Sequence, residues 1–228
     1  MPAMKNFVAV DWRKGDDRLY FFFKDKGTYS KFPLGMNYVG PNYPASVEGS
    51  WGDFDQHAKD LKFGFHTDAI EWGEGGTDFM WLFYYQGTTP MVCKYSETND
   101  NVVYKRPLSQ TLWRLLGPYF DRIVGVMWLK RYYKTTQFRV LMNDGNYLDL
   151  DIRKNTVEQK SLIGSHWQKL HYYKDRLITA VQNDYPMFDN YYYIFITNNQ
   201  YFRFDMDSKW LDGPNEVDDV SWPGLLND

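Results

Sequence analysis

Cysteine is nearly absent from this sequence, and its scarcity limits both the chemistry and the compartment of the protein. The single residue, Cys93, cannot form an intrachain disulfide or a thiolate metal site. No Asn-x-Ser/Thr glycosylation sequon occurs either. Both absences favour a reducing compartment, because small extracellular domains often depend on disulfides. We therefore expect a cytoplasmic protein, although a mature secreted chain would look similar.

Long apolar runs are also missing. No stretch of about eighteen apolar residues occurs, so we predict no membrane span. The first ten residues, MPAMKNFVAV, have neither the length nor the apolar segment of a secretory signal. We expect a leaderless chain, and the sequence alone does not exclude secretion.

The sequence has no excess of positive charge and none of the common catalytic motifs. Lys and Arg number 26, Asp and Glu number 29, and the two signs are interleaved for a net charge of −3. A broad cationic face is not expected, so we predict no nucleic-acid partner. A nucleophile elbow, a phosphate-binding loop and a dinucleotide fingerprint are all absent. These absences indicate a protein that binds a ligand and is not an enzyme.

Aromatic residues are abundant, at 19 % of the 228 residues, and they recur in a fourfold pattern. The first landmark is a short apolar strand with a small central residue, and the four centres are Ala9, Ala69, Gly125 and Ala180. Their spacings of 60, 56 and 55 residues are typical of a propeller blade. The repeat therefore predicts four similar units.

Two further landmarks occur in the same order in each unit. One is a hairpin of aromatic and β-branched strands, with turns such as Asp144-Gly145 and Asn198-Asn199 that suit tight reversals. The other is a tryptophan near the end of the unit, in a segment long enough for one or two helical turns. These tryptophans are Trp51, Trp113, Trp167 and Trp222. We expect them to be structural.

Such a unit has two apolar faces and must pack against neighbours on both sides. The sequence therefore predicts a single all-β domain over residues 1–228, a four-bladed β-propeller in which short helical segments end the blades. The predicted blades cover approximately residues 6–61, 62–120, 121–174 and 175–228.

The pattern resembles the hemopexin repeat over nearly the whole chain. The fourth unit carries the resemblance best, with Tyr-Phe-Arg-Phe-Asp at 201–205 and Trp-Pro-Gly-Leu at 222–225. Single-domain relatives of this type include plant seed albumin-2 proteins, which bind polyamine or heme, and fungal lectin-like proteins. Extracellular members join the first and last blades by a disulfide, which this chain cannot form. We expect packing alone to close its ring.

The resemblance also implies a cation in the central channel. In that family, the residue before the small residue directs its carbonyl oxygen inward, and the matching positions here are Val8, Asp68, Val124 and Thr179. Carbonyl oxygens are hard ligands that suit calcium or sodium. Asp68 is the only acidic residue at these positions, so the acidic surroundings are weaker than in the family.

A candidate ligand site follows from three tryptophans, each three residues after the small residue of its unit. These are Trp12, Trp72 and Trp128, with Asn183 at the fourth such position and with Asp11 and Glu71 directly before two of them. A ring beside a carboxylate can bind a pyranose, or the stem of a polyamine. The alternative is that these rings fill the gaps between blades.

We therefore predict a carbohydrate-binding, lectin-like propeller whose site lies at the blade loops or the channel mouth. A polyamine- or heme-binding protein similar to the seed albumins and a protein-interaction scaffold are the alternatives. The expected partner is a glycan or another small molecule, and the sequence leaves open whether the chain forms a homodimer.

Overall fold

The computed structural model describes residues 4–67, 78–132, 136–183 and 190–226, with the side chains of residues 131 and 132 left out. Within these residues, sixteen strands form four antiparallel sheets of four strands each. Every sheet is a meander, because its strands pair in the order in which they follow one another along the chain. No helix in this part of the chain is both long and apolar enough to cross a membrane.

The first two sheets occupy the amino-terminal half. Sheet 1 consists of β1 (Phe7–Trp12), β2 (Arg18–Phe23), β3 (Thr28–Pro33) and β4 (Ala45–Ser46). Sheet 2 consists of β5 (Leu61–Thr67), β6 (Phe79–Gln86), β7 (Thr89–Ser96) and β8 (Asn101–Pro107).

The other two sheets repeat this arrangement. Sheet 3 consists of β9 (Ile123–Trp128), β10 (Gln137–Met142), β11 (Asn146–Asp151) and β12 (Thr156–Ser161). Sheet 4 consists of β13 (Leu177–Asn183), β14 (Tyr191–Ile196), β15 (Gln200–Asp205) and β16 (Leu211–Glu216). Short 3-10 segments occur at Gly52–Asp60, Leu108–Gln110, Arg114–Arg122, Leu129–Tyr132 and Gln168–Arg176.

The first strands of the four sheets surround a common axis. β1 contacts β5, β5 contacts β9, β9 contacts β13, and β13 contacts β1. An apolar cluster fills each of the four gaps between neighbouring sheets. The protein is therefore an all-β four-bladed propeller, as the repeat predicts.

Side-chain packing joins the first and fourth sheets. The ring of Trp222 lies 5.8 Å from that of Phe21 and 5.0 Å from that of Phe32, measured between centroids. The backbone N–H of Val39 also donates a hydrogen bond to the carbonyl of Pro223, at 2.9 Å. These contacts span almost the whole chain in sequence and close the ring without a covalent bond.

The tryptophans that end the units are all buried, as predicted. Trp51, Trp113 and Trp167 come directly before the 3-10 segments that lead into the next sheet. Together with Trp222 they expose 3 % of their surface or less. Each ring packs in one of the gaps between sheets and anchors the end of a unit there.

The predicted hairpin turns are present at both marked positions. Gly145 has a φ of 86°, and Asn198 and Asn199 have φ values of 67° and 52°. Glycine and asparagine adopt this left-handed backbone at little cost, which is why these residues suit the reversals between β10 and β11 and between β14 and β15.

The structure corrects the predicted small residue of the second unit and the alignment of the third. β5 is Leu61–Thr67, so the small residue of the second unit is Gly64, and Ala69 lies outside the described residues. A Cβ atom on Gly64 would lie 2.9 Å from the Val10 side chain, so the contact between sheets 1 and 2 requires glycine. β5, β9 and β13 each begin ten residues after the tryptophan that ends the preceding unit. Counted from these tryptophans, Gly64 occupies the same position as Val126 and Ala180, and Gly125 comes one residue earlier.

Candidate functional site

The predicted tryptophan site does not form as one repeated feature. Trp12 is 6 % exposed and Trp128 is 4 % exposed. The ring of Trp12 lies 5.6 Å from Tyr20 and 6.3 Å from Trp51, and its Nε1 donates a hydrogen bond to the carbonyl of Lys14 at 2.9 Å. Burial favours the packing interpretation of both rings. Trp72 and Glu71 lie outside the described residues.

Trp12 and Trp128 also face opposite sides of their sheets. Trp12 packs in the cluster between sheets 1 and 2, against the following sheet. Trp128 packs in the cluster between sheets 2 and 3, against the preceding one, and stacks on Phe138. Because alternate residues of a strand point to opposite faces, the difference follows from a one-residue error in the predicted alignment. Counted from Ala9, Gly64, Val126 and Ala180, the position of Trp12 recurs as Thr67, Leu129 and Asn183.

Asp11 belongs to a buried ionic cluster between sheets 1 and 2. One of its carboxylate oxygens accepts a hydrogen bond from the backbone N–H of His66 at 3.1 Å, and the other lies 3.6 Å from Nε of Arg13. His66 Nδ1 lies 2.8 Å from Glu97, whose other oxygen accepts from the backbone N–H groups of Arg13 and Lys14 at 2.9 Å. Burial raises the pKa of Asp11. Through these hydrogen bonds the two carboxylates hold the loop that follows β1 against sheet 2.

The predicted channel-ion positions offer few ligands among the described residues. Val8 and Val124 are 2 % and 3 % exposed, and their only oxygen donors are backbone carbonyls. The Thr179 hydroxyl accepts a hydrogen bond from the backbone N–H of Ala9 at 3.1 Å. Asp68 lies outside the described residues, and the strand assigned to its unit has Phe63 directly before Gly64. The three predicted positions that the structure describes therefore carry no charged side chain, and calcium or sodium binding stays a prediction.

The structure has a cleft of about 250 Å³ between sheets 4 and 1, at Asn183. We call it the Asn183 cleft. Sheet 4 and the carboxyl-terminal segment contribute most of its wall, and the end of β3 with the loop after it contributes the rest. Its lining residues are Phe32, Leu34, Asn37, Asn183, Tyr191, Tyr193, Tyr201, Arg203, Ser221 and Trp222.

A comparison with sheet 1 explains why the cleft exists. In sheet 1, Tyr20 and Trp51 form an edge-to-face pair with centroids 4.8 Å apart, and the ring of Trp12 packs on both. Sheet 4 repeats the pair as Tyr193 and Trp222, 5.0 Å apart. The residue that corresponds to Trp12 is Asn183, whose side chain is much smaller. The cleft is therefore the space that a tryptophan fills in the first unit.

Arg203 is the charged residue of this lining. It lies opposite Tyr193 in the β14–β15 register, and its Cζ atom lies 4.6 Å from the ring centroid of Tyr191. Its Nη2 atom lies 3.5 Å from a carboxylate oxygen of Asp212, and the side chain is 42 % exposed. The cleft thus combines aromatic rings, amide and hydroxyl groups, and one cation. The sequence pattern contained two signals for it, the Trp12-to-Asn183 exchange and the arginine of the 201–205 motif.

A larger groove of about 650 Å³ lies at the β2–β3 turn of sheet 1. Its lining mixes Lys24, Lys26 and Lys59 with Glu48 and Asp55. The Asp55 carboxylate already accepts hydrogen bonds from the backbone N–H groups of Gly49 and Trp51, at 2.7 Å each. Charges of both signs and the absence of an exposed ring pair make this groove a weaker candidate.

Comparisons with known proteins assign neither a family nor a function to this chain. No protein-family model matches the chain, so the resemblance to the hemopexin repeat has no support from that source. No curated protein sequence matches it either. Among solved structures, it is similar to the Saccharomyces cerevisiae protein Sqt1, at 8 % identity and a TM-score of 0.35, over 88 % of this chain. The chain spans 45 % of the length of that structure, and so remote a likeness carries no functional argument.

Proposed function

We propose that this chain is a non-enzymatic propeller that binds a carbohydrate in the Asn183 cleft. One observation carries the proposal. Asn183 in sheet 4 occupies the strand position that Trp12 has in sheet 1, and its side chain is much smaller. The resulting space is bordered by aromatic rings and polar groups.

The chemistry of the lining suits a sugar ring. Tyr191 and Tyr193 are partly exposed and can cover the apolar face of a pyranose. Asn37, Asn183 and Ser221 line the same space and are types of side chain that both donate to and accept from hydroxyl groups. A volume of about 250 Å³ is below the usual range for drug-sized ligands, so it suits one sugar ring better than an extended chain.

The alternatives from the sequence receive less support at this cleft. A polyamine needs anionic partners for its ammonium groups, and the described residues of the cleft lining include no carboxylate. Heme binding usually requires an axial ligand, and none of these described lining residues is a histidine. A scaffold role has its own observation, since Met36 and Val220, which directly precede Asn37 and Ser221 of the cleft lining, are 59 % and 88 % exposed. Scaffold function is therefore the second candidate.

Ligand titration with a cleft-filling variant tests the carbohydrate proposal. Saturation-transfer NMR and calorimetry against a panel of monosaccharides should detect binding to the unmodified chain. Asn183→Trp should abolish that binding, because it restores the ring that fills the equivalent space in sheet 1. Trp210→Ala removes an exposed ring elsewhere on sheet 4 and should leave binding unchanged.

A second variant covers the case in which Asn183→Trp fails to fold. Tyr191→Ala removes a partly exposed ring from the cleft and should weaken binding at least tenfold with little change in melting temperature. Undiminished sugar binding by a folded Asn183→Trp or Tyr191→Ala variant would rule out this cleft. Binding of no sugar by the unmodified chain, together with a partner protein that depends on Met36 and Val220, would favour the scaffold.

A further inference from the structure

We infer that the Asn183 cleft prefers a carboxylated sugar, such as a hexuronate, over a neutral one, and that Arg203 determines this preference. The inference rests on the proposed function, because it concerns the same cleft. It goes further by naming the chemical class of the ligand and the residue that selects it.

The first argument is the charge of the lining. Among the described residues that line the cleft, Arg203 is the charged one, and no Asp or Glu stands beside it there. Recognition of a neutral sugar commonly uses a carboxylate that accepts from two hydroxyl groups. This cleft instead offers a cation whose carboxylate partner, Asp212, lies outside the lining at 3.5 Å, and the electrostatic complement of the lining is an anion.

The second argument is the geometry of Arg203. Its guanidinium lies against the face of Tyr191, which limits its orientation. Within the described part of the chain, its ion-pair partner is Asp212, at 3.5 Å, which is long for a charge-assisted hydrogen bond. Arginine has five N–H donors in a planar arrangement that matches a carboxylate, so a ligand carboxylate can bind it through two parallel hydrogen bonds.

The third argument is a contrast with sheet 3. In sheet 3, Asp149 has the strand position that Arg203 has in sheet 4. Its partner on the neighbouring strand is Arg139, which has the position of Tyr193. Arg139 Nε and Lys160 Nζ each lie 2.9 Å from the Asp149 carboxylate, so both cations are already paired. The adjoining cleft of about 290 Å³ also contains Asp151 and Glu158. Anion recognition is therefore a property of the fourth unit and is not repeated in the third.

Paired titrations of the unmodified chain with D-glucuronate and D-glucose test the inference at neutral pH. We expect glucuronate to bind at least tenfold more tightly, and the difference to shrink as the salt concentration rises. Arg203→Gln should reduce the preference to about threefold or less, because glucuronate binding weakens more than glucose binding. Lys209→Gln removes an equal charge from an exposed turn of the same sheet and should keep the full preference.

The outcomes separate the two proposals. Equal binding of the two sugars by the unmodified chain would overturn the acid preference and leave the carbohydrate proposal standing. A preference that survives in a folded Arg203→Gln variant would overturn the role of Arg203. If the unmodified chain binds none of glucuronate, galacturonate, glucose and galactose, the proposed function is overturned, and this inference with it.

Discussion

Single residues stabilise the ends of the blades through short-range hydrogen bonds. Asp151, at the end of β11, is 8 % exposed, and its side chain accepts hydrogen bonds from the backbone N–H groups of Arg153 and Lys154 at 3.1 and 3.0 Å. In the turn after β15, the Asp205 side chain likewise accepts hydrogen bonds from the backbone N–H groups of Asp207 and Ser208. The aspartate of the repeated motif therefore caps the turn that follows the third strand.

The pKa of Asp151 predicts how stability changes with pH. Burial alone raises this pKa, but hydrogen bonds from Lys154, Gln137 and Thr136 outweigh that effect, so the pKa lies below its usual value. A depressed pKa in the folded state means that the carboxylate stabilises the fold above about pH 4, the usual pKa of an unfolded aspartate, and that this contribution is lost as the pH falls through the folded value.

Asp151→Asn should therefore lower the free energy of unfolding by about 1 kcal/mol at pH 7, because the neutral amide is the weaker acceptor. The gap between variant and parent should narrow when urea unfolding is repeated below pH 4. Asp16→Asn, at an exposed position, controls for the loss of one negative charge. A gap that is the same at pH 7 and pH 3 would contradict the role of the carboxylate charge.

At the level of the structural element, each of the three nine-residue 3-10 segments is anchored by the tryptophan in front of it. Trp167 is 1 % exposed and lies parallel to Tyr192, with centroids 5.6 Å apart. Its edge-to-face contact with Phe204 has a centroid distance of 5.7 Å. This one ring therefore joins the segment Gln168–Arg176 to two strands of sheet 4 and sets the position at which β13 begins.

Trp167→Ala should lower the free energy of unfolding by about 3–5 kcal/mol, because it leaves a large cavity in a core that cannot easily collapse. Trp210→Ala is the matched control, since that ring is 69 % exposed and its loss should change stability by no more than about 0.5 kcal/mol. Urea unfolding followed by far-UV circular dichroism measures both. Similar effects of the two substitutions would show that burial at position 167 does not determine stability.

At the scale of the whole molecule, the ring closes through packing between its first and last units. Trp222 touches Phe21 and Phe32 of sheet 1 and Phe195 of sheet 4, the last at 5.2 Å between centroids. Each sheet buries both faces against neighbours, so opening the closure uncovers one face of sheet 1 and one face of sheet 4. We expect the four units to unfold together.

Trp222→Ala tests that expectation, because it removes the ring shared by sheets 1 and 4. Amide hydrogen exchange should accelerate in β1 and β2 as well as in β14, and urea unfolding should stay a single transition with a lower midpoint. Tryptophan fluorescence and circular dichroism should report the same midpoint. An early separate transition confined to sheet 4 would show that the last unit is only loosely attached to the ring.

Sequence patterns predicted the large-scale features well and the side-chain positions less well. Trp51, Trp113 and Trp167 each precede a segment of equal length, so their spacing identified the units directly. Ala69 was not the small residue of the second unit, because β5 is Leu61–Thr67 and the small residue at its centre is Gly64. Trp128 was matched with Trp12, but the two rings face opposite sides of their sheets, because side chains alternate and a shift of one residue reverses the face.

The number of blades, their order and the all-β class could all be read from the sequence, because these features depend on patterns that lie close together along the chain. The Asn183 cleft could not be predicted from the sequence, since its wall joins Phe32 to residues more than 150 positions later in the chain. Whether a missing tryptophan leaves an open space or is compensated by a neighbour depends on how the first and last sheets meet. Only the closed ring brings those sheets together, and so only the tertiary structure decides where this protein has room for a ligand.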